Sequence, residues 1–340
     1  MESLLDKAVF EALGVGLNFQ PLNWQNEIHL LPNAKFWLPY QIVELEDELF
    51  VEWCYARHAD FSLPFVHDTI ARLKRAPGSR VTLRTSISQL LDYAKQLSPS
   101  CHFAGLIFHI SRCGSTLCSQ LINQLPGRVC LSEPKFVDDI ARVYAHKVDR
   151  ETQSQILKSL LQIWLTFLSE HHQHCYIKLD AWLNFEATFL LSSLSPPRSM
   201  FLSRTLTEVI ASHHAKPGAF TIPSIVAPSY FQLTDPGADF LRPDGYLLSV
   251  ISAIYQAGLR LSKQHSITHI QYSQLPQALF NTLLADVPSE QLAQVNCNQY
   301  SKDSQLQFAG DKEKTTCLKL HEKARIEQKQ HELESRLILT

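Results

Sequence analysis

Apolar and polar residues alternate along this chain in a pattern that predicts strands and helices in turn after residue 103. Short apolar runs are typical of strands buried on both faces, whereas apolar residues repeated every three or four positions predict helices. The predicted strands span 103–110, 128–132, 175–180, 199–204 and 267–272, and the predicted helices span 115–125, about 136–145, 152–170, 183–194, 205–214 and 246–264.

This alternation with short connections predicts an α/β fold: three α/β/α layers with a central, mainly parallel sheet. Ligands bind such sheets beyond the carboxyl ends of the strands. The residues that follow the predicted strands are therefore candidates for a site. Charged residues lie at several of these ends, namely Arg112, Glu133, Lys178, Asp180 and Arg204.

The first hundred residues carry a weaker pattern. Ser86 and Gln89 have the spacing of a capping box at the start of a predicted helix. We interpret residues 1–100 as an accessory α+β region and residues 101–340 as the main domain, which ends in a charged amphipathic helix. The further predictions are helices over 1–17, Val66–Arg75 and 318–339, and short strands near 28–31, 40–44 and 81–83.

A tight polar turn separates the strand at 103–110 from the helix at 115–125, and its sequence is Ser-Arg-Cys-Gly-Ser-Thr. The unpaired N–H groups and the positive dipole end of a helix N-terminus attract anions. Arg112 adds a fixed positive charge, and Ser115 and Thr116 add hydroxyl donors. The turn therefore predicts a phosphate site, with a glycine-containing turn that binds nothing as the alternative.

The order of residues in this turn differs from the Walker A motif, because no lysine precedes the hydroxyl pair and Gly114 is the single glycine. The order is a basic residue, then Cys113, Gly114, Ser115 and Thr116. It resembles the 5′-phosphosulfate loop of sulfotransferases, in which Lys or Arg leads a Ser/Cys-Gly-Ser/Thr-Thr turn. The resemblance implies a P-loop NTPase-like sulfotransferase fold, with Cys113 to Thr116 holding the 5′-phosphate.

A second segment adds to this resemblance. Arg204 closes an apolar strand, and Ser212 lies eight residues further on, in the next predicted helix. In sulfotransferases an Arg and a Ser at this spacing bind the 3′-phosphate of the nucleotide. Thr205 and Leu206 stand where Asn-Pro or Asp-Pro is usual, which removes a proline from the first helical position and keeps both phosphate ligands.

The resemblance also implies catalytic roles, with 3′-phosphoadenosine-5′-phosphosulfate as the donor and no metal. Arg112 would stabilise the charge on the bridging oxygen, and Lys178 matches a lysine near the sulfuryl group. Asp180 stands where many members have a histidine base, and Glu133 matches the strand-end glutamate of bacterial and Golgi-type members. The base that deprotonates the acceptor is thus Glu133 or Asp180. The segment from Ile270 to Leu275 resembles a late Tyr-Glu-Asp-Leu strand of the family.

Composition narrows the choice of partners. The 340 residues carry a formal net charge of −2, which argues against non-specific binding to nucleic acid or to a membrane surface. The sequence shows neither a signal peptide nor a membrane span, and its eight cysteines lack a C-x-x-C pair, so a reduced cytoplasmic protein is expected. The residue types of the cluster His171, His172, His174 and Cys175 are those that bind metals, but their spacing does not place the side chains on one helix face, which argues against a metal site.

Three questions stay open at this point. The acceptor is a small molecule, a carbohydrate or a lipid, and the long proline-rich loop at 216–243 is expected to face it. The oligomeric state is undetermined. Two rival functions are a catalytically silent nucleotide-binding scaffold of the same family and a P-loop kinase or NTPase, which would need the missing lysine.

Overall fold

The computed structural model describes residues 33–57, 59–75, 83–223, 225–233, 243–265, 267–296, 318 and 320–338. The predicted elements at 1–17 and 28–31 lie outside these residues. In the described part of the chain the strands are β1 Trp37–Leu45, β2 Glu48–Tyr55, β3 Leu83–Ser86, β4 His102–His109, β5 Arg128–Ser132, β6 His174–Lys178, β7 Ser199–Ser203 and β8 Thr268–Gln271.

The α-helices of the described residues include two short ones, at Gln277–Asn281 and Ser289–Leu292, that the sequence did not predict. In chain order, the α-helices are α1 Val66–Arg75, α2 Ile87–Ala94, α3 Ser115–Asn123, α4 Lys135–Asp138, α5 Arg150–Leu168, α6 Ala187–Leu194, α7 Leu206–Ala215, α8 Pro243–Gln264, α9 Gln277–Asn281, α10 Ser289–Leu292 and α11 Leu320–Ile338. No helix among the described residues is both long and apolar enough to cross a membrane.

The strands form two sheets. The first has the order β1-β2-β3 and is antiparallel, and the second has the order β5-β6-β4-β7-β8. In the second sheet β4 pairs with β7 and β7 with β8 in parallel, with His109 opposite Leu202 and Ser203 opposite Gln271. A parallel central sheet flanked by helices confirms the predicted fold class, and the antiparallel sheet confirms the α+β character of the N-terminal region.

The chain divides into two compact units. The first comprises Met1–Phe103, Pro126–Tyr176 and Ser192–Ser195, and the second comprises Ala104–Leu125, Ile177–Leu191 and Pro196–Thr340. The domain boundary expected near residue 100 stays a prediction.

Two predicted helices contain other helical forms. The segment predicted at about 136–145 is α4 followed by a π-helical turn over Asp139–Val143. Asp139 is fully buried in this turn, and its carboxylate accepts the backbone N–H of Ile42 at 2.8 Å. The segment predicted at 183–194 begins as a 3-10 helix over Ala181–Glu186 and continues as α6. Apolar periodicity alone does not distinguish these forms from an α-helix.

Glu52 is the buried polar centre of the antiparallel sheet, at 5% exposure. Its carboxylate accepts hydrogen bonds from the hydroxyl of Tyr40 at 2.5 Å, from Gln41 Nε2 at 2.6 Å and from Arg84 Nη2 at 2.7 Å. Burial opposes ionisation, but these three donors outweigh it and lower the pKa of Glu52. The carboxylate thus links all three strands, because its donors lie on β1 and β3.

We expect Glu52→Gln to lower the free energy of unfolding by about 2 kcal/mol at pH 7, since the hydrogen bonds that Tyr40, Gln41 and Arg84 donate to this buried carboxylate lose their charge. A carboxyl whose pKa is lowered on folding stabilises the fold above its unfolded pKa of about 4.3, and loses that contribution as the pH falls. The difference between variant and wild type in urea unfolding should therefore shrink below about pH 4. Glu48→Gln, at the exposed start of β2, is the control. An equal effect from both substitutions would contradict this role of Glu52.

Candidate functional site

The turn between β4 and α3 has the backbone of an anion site. Arg112 and Gly114 both have left-handed conformations, with φ of 60° and 89°. Gly114 is the N-cap of α3 and makes no side-chain capping hydrogen bond, since it has no side chain. The first N–H groups of a helix have no partner within the helix, so the start of α3 offers donors to an anion.

Cys113 fixes the shape of this turn from inside. Its side chain is fully buried, and its Sγ donates to the carbonyl of Ile110 at 2.6 Å. Burial raises the pKa of the Cys113 thiol to about 12, against the lowering effects of the Ser115 N–H and of the charges on Lys178 and Arg204. The thiol is therefore neutral and stabilises the turn, and only the backbone of Cys113 can contact a ligand.

The hydroxyl residues and the lysine predicted for the site are also buried. Ser115 and Thr116 are 5% and 8% exposed, and Lys178, at the end of β6, is fully buried. Asp180 is buried two residues further on and leads into the 3-10 helix at Ala181–Glu186. Since the charges of Lys178 and Arg204 both act on the Cys113 thiol, these two cations lie within electrostatic reach of the turn.

Arg204 is held in place by two neighbours, Tyr272 and Glu208. It follows β7 and is 9% exposed, and its guanidinium lies 4.4 Å from the ring centroid of Tyr272. Its Nη2 is 3.1 Å from Glu208 Oε1, and the Thr205 hydroxyl donates to the same carboxylate. Burial opposes ionisation of Glu208, but the hydrogen bonds from Arg204 and Thr205 lower its pKa. Ser212 is half-buried further along α7.

Tyr272 connects the turn to Arg204. A Cβ atom built on Gly114 would lie 2.6 Å from Tyr272 Cδ2, so the ring packs directly on this glycine. The same ring lies against the Arg204 guanidinium, in a geometry that stabilises the cation. Tyr272 is not among the sequence-predicted site residues. The sequence signal that could have identified it is the position of an aromatic residue directly after β8, at the same carboxyl edge of the sheet as the turn that contains Gly114.

The two remaining predicted residues belong to different units, Arg112 to the second and Glu133 to the first. The Arg112 guanidinium donates to the backbone carbonyl of Lys216, directly after α7. Glu133 follows β5 in the first unit, is half-buried and has a φ of 54°. The second unit thus brings together Arg112, the 113–116 turn, Lys178 and Arg204, whereas the role of Glu133 as a base stays a prediction.

Among the described residues no group of three or more His, Cys, Asp or Glu side chains is arranged to hold a metal ion. These residues include the His171, His172, His174 and Cys175 cluster that the sequence suggested.

The solved structures that the chain resembles include two bacterial sulfotransferases. The sulfotransferase STF9 from Mycobacterium avium is 13% identical, with 61% of this chain and 68% of that chain covered and a TM-score of 0.37. A sulfotransferase from Alicyclobacillus acidocaldarius is 12% identical, with 67% of this chain and 95% of that chain covered and a TM-score of 0.35. No protein-family model and no curated protein matches the sequence. Likeness at this level carries no argument about activity, which therefore depends on the site.

Proposed function

We propose that this protein is a sulfotransferase that moves a sulfuryl group from 3′-phosphoadenosine-5′-phosphosulfate to a hydroxyl or amine of a small-molecule, carbohydrate or lipid acceptor. The observation that carries the proposal is the convergence of two buried cations, Lys178 and Arg204, on a turn that opens a helix without a side-chain cap. Positive charge at the N-terminus of a helix favours the binding of an anion. A donor with phosphates at both ends of its ribose would place one phosphate at the turn and the other at Arg204.

The candidate site residues of the second unit have the following parts in this proposal. The N–H groups at the start of α3 and the hydroxyls of Ser115 and Thr116 would hold the 5′-phosphate. Arg204 and Ser212 would hold the 3′-phosphate, and Glu208 and Tyr272 would keep the guanidinium in position.

Transfer is an in-line displacement in which the acceptor oxygen or nitrogen forms a bond to sulfur while the bond from sulfur to the bridging oxygen breaks. The electron pair of that bond passes to the leaving phosphate. Arg112 and Lys178 would stabilise this developing charge, which is the main catalytic task in reactions of this type. Arg112 does not give up a proton at working pH, so it would act by charge alone. The acceptor proton would go to a carboxylate, either Glu133 or Asp180.

The test is an assay of donor consumption. Purified protein is incubated with 3′-phosphoadenosine-5′-phosphosulfate and a panel of hydroxyl and amine acceptors, and adenosine 3′,5′-bisphosphate is quantified by chromatography. We expect acceptor-dependent release of this product, and loss of turnover with unchanged donor binding in whichever of Glu133→Gln and Asp180→Asn removes the base. Hydrolysis of ATP with Mg²⁺ and no consumption of the phosphosulfate would contradict the proposal. Donor binding without consumption would instead favour the silent scaffold.

A further inference from the structure

His109 is a buried residue to which the proposed mechanism gives no role. It is the last residue of β4, directly below the turn, and is 3% exposed. Its Nδ1 lies 2.8 Å from the carbonyl oxygen of Ile110, and its Nε2 lies 2.7 Å from the carbonyl oxygen of Leu179. Both ring nitrogens thus face backbone oxygens at hydrogen-bond distance.

The two carbonyl partners favour one protonation state of the His109 ring over the other. A backbone carbonyl only accepts hydrogen bonds, and a neutral imidazole has one donor and one lone pair. A neutral His109 would therefore set a nitrogen lone pair against an oxygen lone pair in one of its two contacts. The imidazolium donates at both nitrogens and satisfies both carbonyls with charge-assisted bonds. We propose that His109 is an imidazolium in the folded protein and supplies a buried positive charge beneath the anion site.

The hydrogen bonds of His109 also reach the turn itself. The Ile110 carbonyl that faces Nδ1 accepts from Cys113 Sγ as well, and this sulfur accepts the N–H of Ser115. On the other side, Leu179 lies between Lys178 and Asp180 in the chain. Asn184 Nδ2 donates to the backbone carbonyl of His109 at 3.2 Å. His109 is therefore a positioning residue that ties the end of β6 to the start of α3.

A buried imidazolium and a bound anion should stabilise one another. The charged groups on the neighbouring elements are Arg112 in the turn, Lys178 and Asp180 after β6, and Arg204 after β7 with its partner Glu208. The three cations outnumber the two carboxylates, so an anion at the turn would offset the cost of the His109 charge. By linkage, protonation of His109 should raise the affinity of the turn for an anion by the same factor.

The direct test is ¹⁵N nuclear magnetic resonance of histidine-labelled protein at about pH 8.5, two units above the ordinary histidine pKa of about 6.5. We expect one ring with both nitrogens protonated, and loss of this signal in His109→Gln. A spectrum of wild type without any doubly protonated ring overturns the proposal, and so does a doubly protonated ring that persists in His109→Gln. If that variant does not fold, the wild-type spectrum alone still decides whether a doubly protonated ring exists. This readout requires no nucleotide, so its failure is distinct from failure of the proposed sulfotransferase function.

The functional consequence is measured with inorganic sulfate as the probe. We expect His109→Gln to bind sulfate about ten-fold more weakly than wild type, with wild-type secondary structure. The control is His265→Gln, an exposed histidine beside Thr188 in the same unit. Equal sulfate affinity in His109→Gln and wild type at pH 8.5 would show that His109 contributes no charge to the site.

Discussion

Gly114→Ala is expected to weaken the binding of adenosine 3′,5′-bisphosphate by at least about 100-fold and to lower the free energy of unfolding by about 2–3 kcal/mol. Two causes add. An alanine at a φ of 89° is strained, and its Cβ would lie 2.6 Å from the Tyr272 ring. Relief of this clash moves either the turn or the tyrosine, and both belong to the proposed site. Titration calorimetry and urea unfolding measure the two effects.

Gly127→Ala is the matched control for this substitution. Gly127 also has a left-handed conformation, with a φ of 69°, but a Cβ there would meet Gln173 only at an ordinary contact distance of 3.5 Å. This variant should lose about 1 kcal/mol of stability and keep its affinity for the nucleotide. Comparable losses of affinity in both variants would contradict a specific role for the contact between Gly114 and Tyr272.

Arg204→Ala is expected to weaken the same nucleotide by about 100-fold to 1,000-fold, since a paired charge-assisted contact to phosphate contributes about 3–4 kcal/mol. Adenosine 5′-monophosphate, which lacks the 3′-phosphate, should bind wild type and variant alike. Arg204 is buried and already held between Tyr272 and Glu208, which supports this magnitude. Its side chain would lose little conformational entropy when a phosphate binds.

Two further variants isolate the role of Arg204. Arg198→Ala removes an arginine that directly precedes β7 and pairs with Asp286, and it should leave affinity unchanged. Glu208→Gln keeps an oxygen acceptor that can position Arg204 but removes the negative charge that competes with a phosphate, so it should tighten binding or leave it unchanged. If Arg204→Ala and Arg198→Ala behave alike, Arg204 is not a phosphate ligand.

Local patterns in the sequence were sufficient to predict most of the fold. The apolar run at Arg128–Ser132 and the amphipathic segment Val66–Arg75 have the predicted bounds in the structure. The capping box of Ser86 and Gln89 is present, with both of its hydrogen bonds. These features depend on residues near one another in the chain, which is why periodicity and spacing reveal them.

The β1-β2 hairpin shows where local patterns fail. Its two-residue turn is Glu46-Asp47, with φ of 49° and 66°. Turns of this geometry usually carry Asn-Gly or Asp-Gly, so no turn signal marked the hairpin and only part of β1 was predicted. The pairing of Leu45 with Glu48 across this turn is a property of the folded sheet.

The sequence was sufficient to predict most residues of the candidate site but not the contacts between them. The residues of the turn, Lys178 and Arg204 follow from their places after the strands. The packing of Tyr272 on Gly114 and the two carbonyls around His109 join segments far apart in the sequence, which no local pattern encodes. Arg204 and Glu208 are four residues apart, a spacing that is common for ion pairs on exposed helix faces. The sequence does not show that the side chain of Arg204 in this pair is buried, and its burial is what makes the pair part of the candidate site.

The central claim is that the second unit binds a nucleotide through its 3′-phosphate, and isothermal titration of the wild-type protein tests it most directly. The ligands are adenosine 3′,5′-bisphosphate, its 2′,5′ isomer, adenosine 5′-monophosphate and ATP with Mg²⁺. We predict tight binding of the 3′,5′ compound and binding of the other three that is weaker by at least about 100-fold, since each lacks the phosphate that Arg204 would hold. Equal binding of the two isomers, or a preference for ATP with Mg²⁺, would contradict the claim.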